Sequence, residues 1–252
     1  MERINRIAGF LVTRLSGWLW TRRTRVLDDV PVLTLRRWRR QAETVGRLVR
    51  NVEQAAARRI DASGQDGVGL QAPADASFSF RPAVLSFPQT PTGHVFPMTG
   101  TELSAGVALH HDISPAEIIV RQDRGTDGQY PLIIEVWRGT GSFVSLSLAL
   151  PEAEAHSVTR DDLIRLSYQL EMEQSCEVFA RLNLAHGPNT EQVVRAVELR
   201  PGHDWLEFDV HFTQFDPTRT REIWIDLIFN TLPLNRIVVH DLIISRRARL
   251  SL

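Results

Sequence analysis

From Ile164 onward apolar side chains fall on every second position, with Ile164, Leu166, Tyr168, Leu170 and Met172 alternating with Arg165, Ser167, Gln169 and Glu171. The same period returns where Leu206, Phe208, Val210 and Phe212 alternate with Glu207, Asp209 and His211. A period of two is that of a strand with one buried and one wet face. Further segments of strand length run from Tyr130 to Arg138, Ser142 to Leu150, Cys176 to Ala185, Gln192 to Leu199, Glu222 to Phe229 and Ile237 to Ser245, with turn residues between them. Residues 78–128 are irregular and rich in Pro, Thr and Gly, with short strands expected at Val107 to His110 and Glu117 to Arg121. So many strands without a long helix among them predict a mainly β fold, an antiparallel β-sandwich of jelly-roll or galactose-binding-like type. No repeat of fixed period occurs, which disfavours a propeller or solenoid.

The first 60 residues follow a helical period instead. Over residues 4–20, Ile4, Ile7, Leu11, Val12, Leu15, Trp18 and Leu19 share one arc, while Asn5, Arg6, Gly9, Thr13 and Ser16 take the other. A second helix is expected from Thr34, as N-cap, to Ile60. Its apolar arc holds Leu35, Trp38, Val45, Leu48, Val49, Val52, Ala56 and Ile60, and Arg36, Arg40, Arg47, Arg50 and Arg58 lie opposite. Two amphipathic helices (1–60), a Gly-, Ala- and Ser-containing linker (61–77) and a sandwich domain (78–252) are therefore the expected order.

Charge sharpens this division. Residues 1–60 carry 14 Arg against 5 acids, a net +9, whereas residues 61–252 carry 15 Arg against 25 acids, a net −10. The Arg36, Arg40, Arg47, Arg50 and Arg58 stripe suits contact with an anionic surface, either lipid headgroups or a protein partner, though a solvated or intramolecular helix face is the reading that arginine as the chain's only strong cation favours. No helix-turn-helix, zinc finger or stacking-aromatic motif accompanies it, which disfavours nucleic acid. All basic side chains are arginine. A phosphate-binding loop, a kinase nucleotide site and a Schiff-base enzyme each need a lysine, so these chemistries are excluded. The lone Cys176 excludes an internal disulfide and a multi-cysteine zinc site.

The apolar stretch Ile7 to Trp20 is broken by Arg14 and ends in Trp20 and Arg22 rather than small residues, and the Arg22, Arg23 pair is followed by Asp28, Asp29 and Pro31. Neither a signal peptide nor a twin-arginine signal is matched, and no apolar run reaches the length of a transmembrane helix. The expected location is cytoplasmic, with a position peripheral to a membrane as the variant of it.

Candidate chemistry is sparse. His110 and His111 are adjacent and so point to opposite faces of a strand, and no metal is expected there. No nucleophile elbow occurs, and Gly139 to Ser142 reads as a hairpin turn. Glu171 with Glu173, and Glu207 with Asp209, read as charge on wet strand faces. No catalytic set and no cofactor are expected. On the wet faces Arg181 pairs with Asn183, Trp224 with Asp226, and Trp205 stands in register with Glu207, Asp209 and His211. Aromatic, guanidinium, amide and carboxylate groups on one sheet make a sugar-binding platform, although the N-terminal helices are an alternative cover for Phe179, Trp205 and Trp224. The segment His186 to Gln192, including Asn189, reads as a binding loop or as an ordinary turn.

Ile164 to Glu171, Phe179, Arg181, Asn183, the His186 to Gln192 loop, Trp224 to Phe229, and Asp241, Ser245, Arg246, Arg247 and Arg249 resemble an uncharacterised bacterial family of similar length. That family has an arginine-rich helical start and a strand-rich end, and the resemblance implies no activity. A further likeness, to carbohydrate-binding jelly rolls, is one of architecture. The expectation is a non-catalytic β-sandwich module for a glycan or glycoconjugate. The competing expectation is an adaptor whose arginine-rich helices dock on an anionic membrane or a protein partner. An enzyme ranks third, and the oligomeric state is left open.

Overall fold

The computed structural model describes residues 16–63, 69–125, 129–200, 202–230 and 234–249, with backbone alone at 47, 50, 51, 53–55 and 57–63. The chain divides into two compact units, Met1–Glu53 and Gln54–Leu252. Of the helix expected over 4–20, residues 4–15 lie outside the described set; residues 16–24 form helix α1. Helix α2 spans Val32–Ser63. It starts two residues before the expected cap, because Pro31 already supplies the first acceptor: the Thr34 N–H donates to the Pro31 carbonyl at 2.8 Å. Thr34 thus sits in the first turn.

Among the described residues, thirteen strands build two antiparallel sheets. One sheet holds β11 (Asp204–Asp209), β8 (Asp162–Met172), β13 (Asn235–Ala248), β6 (Leu132–Thr140), β5 (Ser114–Gln122) and β2 (Gly93–Val95) in that order, with β1 (Phe78–Phe80) alongside β13. The other holds β10 (Asn189–Ala196), β9 (Val178–His186), β12 (Thr220–Phe229), β7 (Val144–Ala149), β4 (Val107–His111) and β3 (Thr101–Ser104). The alternation does what a period of two dictates. Ile164, Leu166 and Tyr168 of β8, Ala180, Leu182 and Leu184 of β9, and Ile223, Ile225, Leu227 and Phe229 of β12 are buried in one core with Phe208 and Phe215. Each large apolar side chain buried this way contributes about 1.5–3 kcal/mol.

Three segments depart from the sequence pattern. β11 ends at Asp209, whose carboxylate accepts the His211 N–H at 3.0 Å and closes a 3-10 turn over Val210–Phe212. That turn breaks the alternation and leaves Phe212 77% exposed. Gly139 to Ser142 is not a hairpin, since β6 and β7 belong to different sheets. It crosses from one sheet to the other, with Gly139 at φ 139°, where a Cβ would overlap Ile113 and Pro115. The crossing is held by Asp112, which accepts from the Ser142 hydroxyl at 2.6 Å and from the Ser142 and Phe143 amides at 2.8 and 3.1 Å. These bonds, the Ser142 hydroxyl foremost, hold the Asp112 carboxyl below the usual range. The third departure lies within 61–77. Residues 61–63 end α2, 64–68 lie outside the described set, and 69–77 lie along the seven-stranded sheet, with Leu70 buried and the Ser77 N–H on the Arg246 carbonyl at 2.9 Å.

Tyr168 gives the core a pH signature. Its hydroxyl donates to the Glu198 carbonyl at 2.9 Å, and burial, followed by the charges of Asp204 and Glu198, pushes its pKa up to about 12. The folded value lies above the unfolded one of about 10, so this contribution is complete below pH 10 and is lost as pH rises towards 12. Urea midpoints should therefore fall across that window. Tyr168→Phe should lose about 1 kcal/mol at neutral pH, from the missing hydrogen bond, and show a flatter alkaline limb. An unchanged alkaline limb in the variant would remove Tyr168 as its cause.

Candidate functional site

The outer face of the six-stranded sheet carries four of the expected site residues in adjoining positions. Strand register sets this directly. Asp226 of β12 stands opposite Arg181 of β9, Trp224 stands opposite Asn183, and Asn183 on its other side faces Gln192 of β10. Between them Leu182, Leu184, Ile225 and Leu227 point inward and are fully buried, which fixes the backbone beneath the site.

The side chains form one hydrogen-bonded chain. Asp226 Oδ2 accepts Arg181 Nε at 3.1 Å, Arg181 Nη2 at 2.8 Å and Asn183 Nδ2 at 2.9 Å. Asn183 Oδ1 in turn accepts Gln192 Nε2 at 2.9 Å. Asn183 and Asp226 are buried although they point away from the core, while Arg181 keeps 36% of its side chain exposed. Trp224 stands half-buried at the rim of this chain, with Ala149 of β7 as its neighbour on the other side. The arrangement is a rigid polar frame beside an aromatic ring, with the remaining guanidinium and amide hydrogens of Arg181 and Gln192 as its outward donors.

The other expected residues do not join it. Trp205 lies on β11 in the opposite sheet, 50% exposed, with the Arg165 guanidinium 3.9 Å from its ring. Arg165 also bonds Glu207 at 3.0 Å, and Arg247 bonds the same carboxylate at 3.1 and 3.2 Å, so this second face is a closed ion-pair ladder. His186 points inward and is buried, with its ring edge-on to Phe215 at 5.7 Å and its Nδ1 accepting the Asp216 N–H at 3.4 Å. Asn189 is exposed and pairs across the hairpin with His186, so the turn itself is Gly187–Pro188, with Gly187 at φ 51°. On α2, Arg36 and Arg40 are exposed, and the side chains of Arg47, Arg50 and Arg58 lie outside those described.

His110 and His111 do point to opposite faces. His111 is buried, with Nε2 3.0 Å from the Pro97 carbonyl and Nδ1 accepting the Ile113 N–H at 3.3 Å, so both ring nitrogens are engaged by backbone. Among the described residues no three His, Cys, Asp or Glu side chains group as metal ligands. Gln192 is the site residue that the strand pattern did not single out. The two-residue turn carried its signal, because that turn fixes the register that sets Gln192 against Asn183.

A profile of one protein family matches residues 1–252 of the chain. The chain belongs to DUF6478, a family of unknown function. No curated protein sequence matches this DUF6478 member. Among solved structures, it is similar to the enzymatically active domain of tailspike protein 4 of bacteriophage CBA120, at 6% identity over 71% of this chain, with a TM-score of 0.40. The chain spans only 22% of that tailspike chain. It is also similar to a family 11 carbohydrate-binding module of Clostridium thermocellum, solved with a β-1,3-1,4-mixed-linked tetrasaccharide, at 11% identity over 62% of this chain and 96% of that one, TM-score 0.39. The CBM22-1 xylan-binding domain from Paenibacillus barcinonensis is similar at 11% identity over 63% of this chain and 94% of that one, TM-score 0.36.

Proposed function

We propose that the protein is a non-catalytic β-sandwich binding module that takes a glycan or glycoconjugate on its six-stranded sheet, with Trp224 as the stacking platform. The observation that supports this most is Trp224, partly buried but open on one side, beside a polar frame whose members are already bonded to one another. A flat indole matches the C–H face of a sugar ring, and donors fixed at its edge meet hydroxyls without further loss of side-chain freedom. Arg181 and Gln192 are the donors in this reading, and Asn183 and Asp226 hold them in place.

A glycan array covering neutral and acidic oligosaccharides tests it. Hits on the wild-type chain should weaken roughly 30-fold in Trp224→Ala, the size of a lost aromatic anchor of about 2 kcal/mol, while the thermal melt is kept. Trp224→Phe should retain part of the binding. Undiminished hits in Trp224→Ala, or an array without hits, would overturn the reading.

A further inference from the structure

The unit Met1–Glu53 presents a surface that the glycan reading does not use. No described residue from 16 to 53 is buried. Along α2, Val45, Leu48, Val49 and Val52 follow the spacing of one helical face, and all four are exposed, Val52 to 70%. The same arc continues through Leu35, Trp38 and Ala42, which with Trp20 and Leu27 of the preceding turns line a groove of about 410 Å³. Arg23 lies over both Trp20, at 4.7 Å, and Trp38, at 4.9 Å, and Arg22 lies over Trp18 at 5.4 Å. The unit thus combines an exposed apolar stripe, tryptophans and cations seated at their rings.

Charge decides what suits this stripe. Between residues 32 and 52 there are six arginines (36, 37, 39, 40, 47 and 50) and one acid, Glu43. Arg37 and Arg39, both exposed and Arg39 also bonded to Glu43 at 2.8 Å, flank the stripe at about 100° on either side of its centre, where a cation reaches the headgroup level while the apolar face sinks below it. Two copies packed stripe to stripe would bring these flanking cations together. An anionic bilayer neutralises them and buries the valines and leucine at once. No described helix is long and apolar enough to cross a membrane. We infer that the Met1–Glu53 unit docks the protein on an anionic phospholipid bilayer, with Val45, Leu48, Val49 and Val52 inserted and Arg37 and Arg39 at the headgroups.

Co-sedimentation of the full chain with vesicles tests this. It should pellet with vesicles of equal parts phosphatidylcholine and phosphatidylglycerol, stay in solution with phosphatidylcholine alone, and be released by salt. Arg37→Ala with Arg39→Ala should weaken partitioning roughly 25-fold, the size expected when two arginines leave an anionic surface. Leu48→Asp with Val52→Asp should abolish pelleting, with the melt of the sandwich unchanged because these side chains touch solvent. Equal pelleting with both vesicle types, or none with either, would overturn the inference. So would a stable dimer that Leu48→Asp dissociates and that anionic vesicles do not compete with, since a second copy would then be the occupant.

Discussion

Asp241→Ala is expected to destabilise the sandwich by about 3–5 kcal/mol in urea denaturation, because it removes one partner of a buried ion pair and leaves the other behind. Asp241 is 2% exposed and sits just past a bulge in β13, where the register slips between Val239 and Asp241. Its Oδ1 accepts Arg81 Nε at 2.9 Å, and its Oδ2 accepts Arg81 Nη2 at 3.1 Å and the Leu70 N–H at 2.8 Å. Arg81 Nη2 closes the ring on the Leu70 carbonyl at 3.1 Å. One carboxylate therefore clamps the 69–81 segment onto the seven-stranded sheet. Gly69 belongs to the same clamp: its φ is 79°, and a Cβ there would come within 2.6 Å of Asp241 Oδ2. Asp241→Asn, which keeps an acceptor but not the counter-charge for Arg81, should fall between wild type and alanine. A loss below about 1 kcal/mol for Asp241→Ala would show that the segment is held by the β1 pairing and the burial of Leu70 instead.

That clamp marks where sequence reading stops. The alternation of Ile164 to Met172 is legible because each residue reports its own burial, and the same holds for β9 and β12 of the candidate site. Arg181, Asn183, Trp224 and Asp226 come from two strands that pair in the fold, so their common face follows once a sandwich is assumed. Trp205 reads as equivalent because its strand has the same wet-face pattern, yet sheet membership is a matter of topology, and topology places it on the other sheet. His186 is placed apart from that face for a related reason. Its position in a polar loop suggested exposure, whereas the tight Gly187–Pro188 turn makes it the last inward residue of β9. The short strands β1, β2 and β3 have too few residues for a period to show, and the fixing of residues 69–77 depends on an aspartate 171 positions beyond Leu70.

Arg181→Met is the second large expected effect, about 2–4 kcal/mol, and its logic separates a bonded pair from mere surface charge. Methionine keeps an apolar stem over the site and removes the guanidinium, so Asp226, buried beneath, retains only Asn183 Nδ2 of its three side-chain donors. A buried carboxylate stripped of its donors cannot turn to water, which is why the loss exceeds the usual value of an exposed ion pair. Asp226→Leu should cost less, since the freed Arg181 is already 36% exposed and has solvent to turn into. The two changes together should cost less than Arg181→Met alone, because replacing both partners by apolar groups leaves no buried charge unmet. In the double variant Trp224 keeps its place on β12 but loses the donor at its edge, so the fold should recover while any glycan binding does not. A double variant whose cost equals the sum of the single ones would show the pair to be uncoupled, and would leave the polar frame beside Trp224 without the rigidity that the glycan reading requires.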